Sequence, residues 1–357
     1  KARVAGSCAE GIASRAGAGD PCRRRLLPVH PSAQRAAPAR TSGHFPLAGA
    51  LRWGTGMNRL VVPLVLALLL APRLGPSALA QDRAETRETA SGGARAVGHH
   101  RVLALLNPMG VEHRLDLGLR SDVGDQEDIL FDGAHVQTGL TSYVAPVYAI
   151  GGGYVEVSPF SFLGIRGEIM GAGVWPIGMD AAGYYGVPCY GADVSGQALP
   201  GEDGRSASGW MATGSVELRG ALELSEGIRV LMLSELGVTW TVLGDAPFYY
   251  SMKHDLVLAR QDLVLLSSSF VGVEVRAASD VVVRLGAYDD LRHVPASGYV
   301  GHQLGPMATI SWDDPADGVG ELTIFLRGGG YTHHATREGE ATILGGVALD
   351  YELGSIR

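Results

Sequence analysis

Two adjacent aspartates and a nearby histidine come closest, in type and spacing, to a catalytic arrangement. Asp289 and Asp290 lie four and three positions before His293. A carboxylate that orients an imidazole helps it to activate water or a hydroxyl group for attack on an ester or a peptide. These three residues are therefore the catalytic candidates of a hydrolase. No serine in the chain has the flanking residues typical of a lipase or deacylase, so the sequence favours a protein that is not an enzyme.

Histidine is also a common ligand of transition metals. Five histidines lie near the predicted outer ends of strands: His254, His293, His302, His333 and His334. The simplest interpretation is that they are exposed loop residues, with a metal site or a hydrolase site as alternatives. The adjacent pair at 333 and 334 would point to opposite faces of a strand, and the cysteines show no zinc-type spacing. The sequence therefore predicts no metal and no cofactor.

Charged side chains recur at every second position of otherwise apolar segments, as in Arg166/Glu168, Glu217/Arg219 and Glu274/Arg276. In a membrane barrel they would face the lumen, because a base on the lipid face costs roughly 2–4 kcal/mol at midplane. Such a ladder would form either a packed network of salt bridges or a narrow, charge-lined passage. Its predicted members are Arg114, Asp116, Arg166, Glu168, Glu217, Arg219, Arg229, Glu235, Glu274, Arg276, Arg284 and Arg327.

The elements that must position these residues are strands, because apolar and polar residues alternate with a period of two. In 210–223, Trp210, Val216 and Leu218 share one face, and the charged residues share the other. A short turn at 225–227 joins this segment to the next one as a hairpin. Ten strands are predicted, at about 113–120, 144–157, 162–175, 210–223, 229–242, 263–276, 280–289, 299–312, 320–334 and 341–353.

The predicted connections alternate between short turns and long loops. The short ones are 158–161, 224–227, 277–279 and 313–319, and the long ones are 121–143, 176–207, 243–262, 290–298 and 335–340. Short periplasmic turns and longer outer loops are typical of membrane barrels. The predicted fold class is therefore all-β, an antiparallel transmembrane β-barrel of about ten strands. Eight or twelve remain possible, since 121–145 can hide a hairpin.

Aromatic residues cluster near the predicted strand ends, where interfacial belts of membrane proteins lie. The residues assigned to these belts are Trp175, Tyr184, Tyr185, Trp240, Phe248, Tyr249, Tyr250, Trp312 and Tyr331.

The region before the barrel has the features of an export signal. Residues 57–80 combine a basic start, an apolar run and a small-residue cleavage pattern ending at Ala80, so they are predicted to be a cleaved signal peptide. Residues 1–56 lack a periodic apolar pattern. They are interpreted as a disordered, translated leader, with a genuine basic extension as the alternative, and whether they are ever made stays open. Residues 81–111 are predicted to be a flexible lead-in, and 112–357 the barrel.

The charge of the exported part excludes one class of partner. Residues 81–357 hold 18 of the 29 Lys and Arg residues and 35 of the 37 Asp and Glu residues, a formal net charge of −17 against −8 for the whole chain. A nucleic-acid-binding surface needs a basic footprint, so no nucleic acid is expected as a partner.

The residues from about 113 to 353 resemble those of small bacterial outer-membrane β-barrel proteins. The resemblance rests on the hairpin turn within 155–168 and on the last strand, in which Ile343, Gly345, Val347, Leu349 and Tyr351 alternate as in a C-terminal assembly strand. Leu353 stands where an aromatic residue is common in that strand. The resemblance implies a location in the cell outer membrane, contact with outer-membrane lipid and the assembly machinery, and small solutes as further partners.

The predicted function is a non-enzymatic outer-membrane barrel, either structural or a narrow passive channel with a charge-lined lumen. Two alternatives remain: an outer-membrane hydrolase with a site at the extracellular rim, and a soluble periplasmic β-sandwich that binds a ligand.

Overall fold

The computed structural model describes the chain from residue 94 to residue 356, with six gaps. The described residues are 94–124, 130–131, 133–177, 183–192, 194, 204–316 and 319–356. Their strands are β1 (Ala94–Leu106), β2 (Gly110–Asp122), β3 (His135–Ala145), β4 (Tyr148–Phe160), β5 (Leu163–Val174), β6 (Gly186–Val187), β7 (Ala207–Ser225), β8 (Ile228–Leu243), β9 (Phe248–Ser251), β10 (Leu256–Ala259), β11 (Gln261–Arg276), β12 (Val281–Val294), β13 (Tyr299–Ala316), β14 (Val319–His333) and β15 (Ala341–Ile356). Within this part of the chain, no helix is long and apolar enough to cross a membrane.

Twelve of these strands form one closed barrel, in the order β1-β15-β14-β13-β12-β11-β8-β7-β5-β4-β3-β2. Every neighbouring pair is antiparallel, and β1 closes the ring by pairing with β15 from Ala94↔Ile356 to Leu106↔Ile343. Closure leaves no strand edge with unpaired backbone groups, which the interior of a bilayer would not tolerate. The all-β antiparallel barrel is therefore confirmed, and a β-sandwich of two packed sheets is excluded.

The leading count of ten strands is wrong, and twelve is correct, because two strands were missed. β1 lies in the predicted lead-in, so the flexible assignment is wrong over Ala94–Leu106, and β3 lies in the predicted loop 121–143. Both escape a hydrophobic pattern search because their outward residues include small or polar ones, such as Gly98 and His100 in β1 and Thr138 in β3. The predicted leader, the signal peptide and residues 81–93 lie outside the described residues.

The two rims of the barrel differ in their connections. The terminal rim, where Ala94 and Ile356 lie, carries the connections 123–134, 161–162, 226–227, 277–280 and 317–318. The opposite rim, called the loop rim, carries 107–109, 146–147, 175–206, 244–260, 295–298 and 334–340. The prediction of a long outer loop at 121–143 is wrong, because β3 takes up its second half and the remainder lies at the terminal rim.

The strands present apolar side chains outward and polar side chains inward, as their alternation predicts. Leu236, Val271, Leu285 and Ile169 are between 53 and 72% exposed on the outer surface. Charged partners instead meet inside, for example Glu274 and Arg284. Because exposed apolar surface of this extent is unfavourable in water, the outer surface is suited to lipid.

A small sheet of β6, β9 and β10 fills the loop-rim end of the barrel. Tyr249 and Leu256 of this sheet pack against inward-facing Val264 and Val294 of the wall, all 1% exposed or less. The belt assignment of several aromatic residues is therefore wrong: Tyr184, Tyr185, Tyr249, Tyr250 and Tyr331 are buried inside. The hydroxyl groups of Tyr184, Tyr249, Tyr250 and Tyr331 find partners in the interior, which the period-two pattern alone does not reveal.

Candidate functional site

The wall formed by β2–β5 carries a compact network of charges. The Asp116 carboxylate accepts hydrogen bonds from Arg114 at 2.8 Å and from Arg166 at 3.1 Å. Arg166 also donates to Glu168 at 2.7 Å and to Glu156 at 3.0 Å. The Asp116 and Glu168 side chains are only 6% exposed. A buried charge is tolerated when it is paired and hydrogen-bonded, so these residues form a mutually neutralising unit.

Aromatic rings complete this wall. The Arg114 guanidinium lies 5.1 Å from the centre of the Tyr143 ring, and the Arg166 guanidinium lies 3.9 Å from that of Tyr154. The Tyr143 hydroxyl donates to Glu168 at 3.3 Å. Cation–π contacts of this kind are strongest where water is excluded. Rings and charges together therefore fill this side of the lumen.

The opposite part of the ring has a second network. Glu274, 6% exposed in its side chain, accepts hydrogen bonds from Arg229 and, at 2.8 Å, from Arg284. Arg284 also donates to the Ser311 hydroxyl at 2.9 Å. This network joins four neighbouring strands of the barrel, β8, β11, β12 and β13.

Arg327 is enclosed as well, since its side chain is 17% exposed and pairs with Asp290, but the other four members of the predicted ladder are less enclosed. Glu217 and Arg219 pair with each other, with side chains 39 and 43% exposed. Glu235 faces the lumen and is exposed. Within the described part of the chain, neither Glu235 nor Arg276 has a side-chain ion pair. This stretch of β7 and β8 near the terminal rim therefore presents solvated charge to the lumen.

Residues 251–256, between β9 and the first residue of β10, cross the lumen near the loop rim and are called the strap. Lys253 lies 3.4 Å from the Glu112 carboxylate and 3.6 Å from the centre of the Tyr143 ring. Arg292 donates to the His254 carbonyl oxygen at 2.8 Å. The strap comes from the connection between β8 and β11 and reaches β2, five places round the barrel from β8. It therefore spans from one wall to the opposite one.

Asp255 is the most highly connected residue of the strap. Its carboxylate accepts hydrogen bonds from the hydroxyls of Tyr250 and Tyr331, at 2.5 and 2.8 Å, and from Arg337 at 3.3 Å. His334 donates to the Asp255 carbonyl oxygen at 2.9 Å. These partners come from β9, β14 and the 334–340 connection. One carboxylate thus ties the strap to the barrel wall and to a neighbouring loop.

Burial changes the titration of the strap. Desolvation lowers the pKa of His254 to about 3, and nearby Lys253 and Arg292 act in the same direction. Desolvation also lowers the pKa of Lys253, against the attraction of Glu112. Burial and the Asp255 carboxylate raise the pKa of Tyr250 well above its usual value. His254 is therefore neutral inside the closed barrel at neutral pH.

The structure separates the three catalytic candidates of the sequence. β12 continues to Val294, so its consecutive side chains point to opposite faces. Asp290 faces the lumen, where Arg292 and Arg327 each donate to it at 3.3 Å. Asp289 and His293 face outward, and His293 donates to the Tyr299 carbonyl oxygen at 3.0 Å. The predicted hydrolase site is therefore not assembled from this triplet.

Sequence reasoning missed several residues that the fold brings together. Glu112 and Lys253 meet in the lumen although 141 positions separate them, and Asp255 meets Tyr331 and Arg337 there. Asp289 contacts His302 at 2.8 Å on the outer face, across the β12–β13 hairpin. The contact between Asp289 and His302 could have been predicted from the hairpin register, since a turn at 295–298 places these two residues near each other. Within the described residues, no three His, Cys, Asp or Glu side chains are grouped so that they could hold a metal ion.

Comparison with known proteins adds little beyond architecture. No family model and no curated protein sequence matches the chain. Among solved structures, the NanC porin is 8% identical over 72% of this chain and 100% of its own, with a TM-score of 0.35. OmpT, an outer membrane protein of Vibrio cholerae, is 9% identical over 75 and 100%, with a TM-score of 0.30. The β domain of the Bordetella autotransporter Brka is 12% identical over 74 and 100%, with a TM-score of 0.40.

These TM-scores are all below 0.5 and carry no argument about the site. The class of the protein follows from its own geometry. A closed, antiparallel barrel of twelve strands, apolar outside and charged inside, is the architecture of bacterial outer-membrane β-barrel proteins.

Proposed function

We propose that this protein is an outer-membrane barrel that forms a narrow, gated passage for small hydrophilic solutes, with the strap as its gate. The observation that carries the proposal is the strap itself, which starts from β8 and β11 and bonds to the opposite wall through Lys253 and Asp255. A passage through the barrel would be closed whenever the strap is in contact with the opposite wall.

The contacts of the strap support a reversible gate. Apart from the apolar contacts of Met252 and Leu256 at its two ends, the strap bonds to the wall through polar groups, as between Lys253 and Glu112 or between Asp255 and Tyr331. Water replaces such bonds at a small net cost, whereas apolar contacts have no substitute in water. The solvated pair of Glu217 and Arg219 continues the polar route toward the terminal rim.

The orientation in the membrane follows from the rims. Barrels of this class place short turns on the periplasmic side and longer loops outside. The terminal rim of this barrel would therefore face the periplasm, and the loop rim with the strap would face the exterior. The barrel strands of 11 to 19 residues are long enough for a tilted crossing, which takes about 9–11.

Single-channel recording with the protein refolded into planar bilayers tests the gate. Asp255→Ala removes the acceptor of three donors and leaves Arg337 without its carboxylate partner, although Arg337 keeps its hydrogen bond to Asn107. Breaking a buried charged network costs about 3–5 kcal/mol, so the seated strap should lose at least tenfold in population. We expect rare openings in the wild type and frequent openings in Asp255→Ala. The matched control is Asp245→Ala in the same connection, because the Asp245 side chain is 73% exposed and, among the described residues, forms an ion pair only with exposed Arg205.

The outcomes separate the alternatives. Heat-modifiable gel mobility should show that each variant is a folded barrel. A folded Asp255→Ala barrel that conducts no more often than the wild type would reject the gate and favour a purely structural barrel. A wild type that is continuously open would also reject it.

A further inference from the structure

Three polar side chains on adjacent strands form a continuous hydrogen-bonded chain on the outer face of the barrel. Thr332 of β14 donates its hydroxyl to Nδ1 of His302 on β13. Nε2 of His302 donates to Oδ2 of Asp289 on β12 at 2.8 Å. This order, hydroxyl to imidazole to carboxylate, is the one that activates a nucleophile, because the carboxylate orients the ring and stabilises its protonated form.

The backbone presents Thr332 for this role. In the β13–β14 ladder, His302 pairs with His333 and Gln303 pairs with Tyr331, so Thr332 is the extra residue of a β-bulge. Bulges redirect a side chain and are frequent beside active sites. Thr332 is exposed, and the side chains of His302 and Asp289 are 26 and 46% exposed. The hydroxyl is therefore accessible from outside the barrel.

The depth of this triad points to its substrate. His302 lies three residues inside the loop-rim end of β13, and Trp210 and Trp240 lie equally far inside the loop-rim ends of β7 and β8. Both tryptophans are exposed on the outer surface, at 44 and 39%. Tryptophan favours the level of the lipid headgroups, and the ester bonds of membrane lipids lie at the adjoining acyl boundary.

On the membrane side of the triad, small outward residues on three adjacent strands leave a shallow depression in the barrel surface. Ala287 and Pro306 are paired in register, and Gly328 lies next in the same row on β14. A Cβ atom built on Gly328 would meet nothing within 4 Å. Beyond this row, the larger side chains of Leu285 and Leu326, 56 and 57% exposed, protrude from the outer surface. This row lies next to the outward row of Asp289, Leu304 and Gly330, so it offers an acyl chain an apolar furrow one row away from His302 and Thr332.

We propose that Thr332, His302 and Asp289 form an acyl-transfer site that hydrolyses the carboxylic ester of a membrane lipid. This proposal rests on the membrane position proposed above, and it is independent of the strap and of any passage. The proposed site also differs from the hydrolase site predicted from the sequence, since the two have only Asp289 in common.

The reaction has two balanced halves. Thr332 Oγ1 attacks the ester carbonyl carbon while its proton passes to His302 Nδ1, and the imidazolium is held by Asp289. The tetrahedral intermediate expels the lipid alcohol, which takes that proton, and the acyl group stays on Thr332. Water then attacks the acyl group, giving its proton to His302. Collapse releases the fatty acid and returns the proton to Thr332.

The test measures fatty-acid release from vesicles of phosphatidylethanolamine and phosphatidylglycerol that contain the refolded full barrel. Thr332→Ala and His302→Ala should each lose at least about 100-fold in rate, whereas Thr332→Ser keeps a hydroxyl and should retain measurable activity. His293→Ala is the matched control, an outward histidine at the same rim that should hydrolyse like the wild type. Mass spectrometry of the wild type after brief exposure to p-nitrophenyl hexanoate should show a hexanoyl group on Thr332.

Gly328→Leu tests the furrow separately. Its side chain meets open space, so the barrel should fold, and KM for the vesicle lipid should rise several-fold with little change in kcat. Heat-modifiable mobility checks folding in every variant. Wild-type protein that releases no more fatty acid than Thr332→Ala, with no acyl adduct, would overturn the proposal. That result would not bear on whether the barrel conducts ions. Equally, a barrel that never conducts could still hydrolyse lipid, so the two proposals can fail separately.

Discussion

The β2–β5 wall and the β7–β8 wall of the same lumen carry the same kind of sequence and differ in structure. Arg166 and Glu168 in β5 stand two positions apart, as do Glu217 and Arg219 in β7. The first pair is enclosed, with side chains 16 and 6% exposed, and connects to Asp116 on another strand. The second pair bonds only within itself and stays solvated.

The difference shows that an alternating charge pattern does not by itself decide how charges behave. In the first wall each carboxylate has cations from two strands, and tyrosine rings and the strap exclude water. In the second wall no covering segment is present among the described residues. Enclosed pairs are strongly interdependent, while solvated pairs are screened by water and contribute little. Three measurements would sharpen or break this comparison.

The largest effect is expected from Asp116→Ala in the enclosed wall. The substitution leaves the guanidiniums of Arg114 and Arg166 side by side without the carboxylate between them. Removing one partner of a buried charged network costs about 3–5 kcal/mol. The free energy of unfolding, measured by urea titration in lipid vesicles with tryptophan fluorescence, should fall by that amount. A loss below 1 kcal/mol would show that water reaches this wall and that the two walls are equivalent.

A smaller effect is expected from acidification of the strap. The pKa of His254 is about 3 when the strap is seated, below its ordinary value of about 6.5. At a pH between 3 and 6.5, His254 therefore binds a proton when the strap is released and remains neutral when the strap is seated. The seated state therefore loses up to about 1.4 kcal/mol per pH unit as the pH falls below 6.5.

We expect the open fraction in single-channel recordings to rise from pH 7 to pH 5. His254→Gln, which cannot take up a proton, should flatten this dependence. An unchanged pH profile in the variant would assign the effect to groups other than His254.

The smallest effect is expected from Glu217→Ala in the solvated wall. An ion pair this exposed contributes about 0–1 kcal/mol, so the free energy of unfolding should change by no more than that. The same urea titration as for Asp116→Ala provides the measurement. A loss comparable to that of Asp116→Ala would mean that the β7–β8 wall is enclosed by a segment outside the described residues.

Much of the barrel was predictable from local sequence, and the site was not. The strands with regular apolar alternation, such as β7 and β8, were found because one face must meet lipid and the other must not. β1 escaped because Gly98 and His100 occupy outward positions. Asp289 was chosen for its nearness in sequence to His293, yet in a strand the effective neighbours lie on adjacent strands, and its partner proved to be His302.

The sequence by itself determined the two faces of the sheet, the antiparallel hairpins and the placement of most charged strand residues on one side. These features depend on a period of two along a single segment, which is visible in the sequence without knowledge of the fold. Only the tertiary structure decided the closure of β1 on β15, the path of the strap across the lumen and the meeting of Thr332, His302 and Asp289. Each of these depends on strand register and on the course of a long connection. They are set by the summed free energy of contacts between distant segments and leave no local pattern in the sequence.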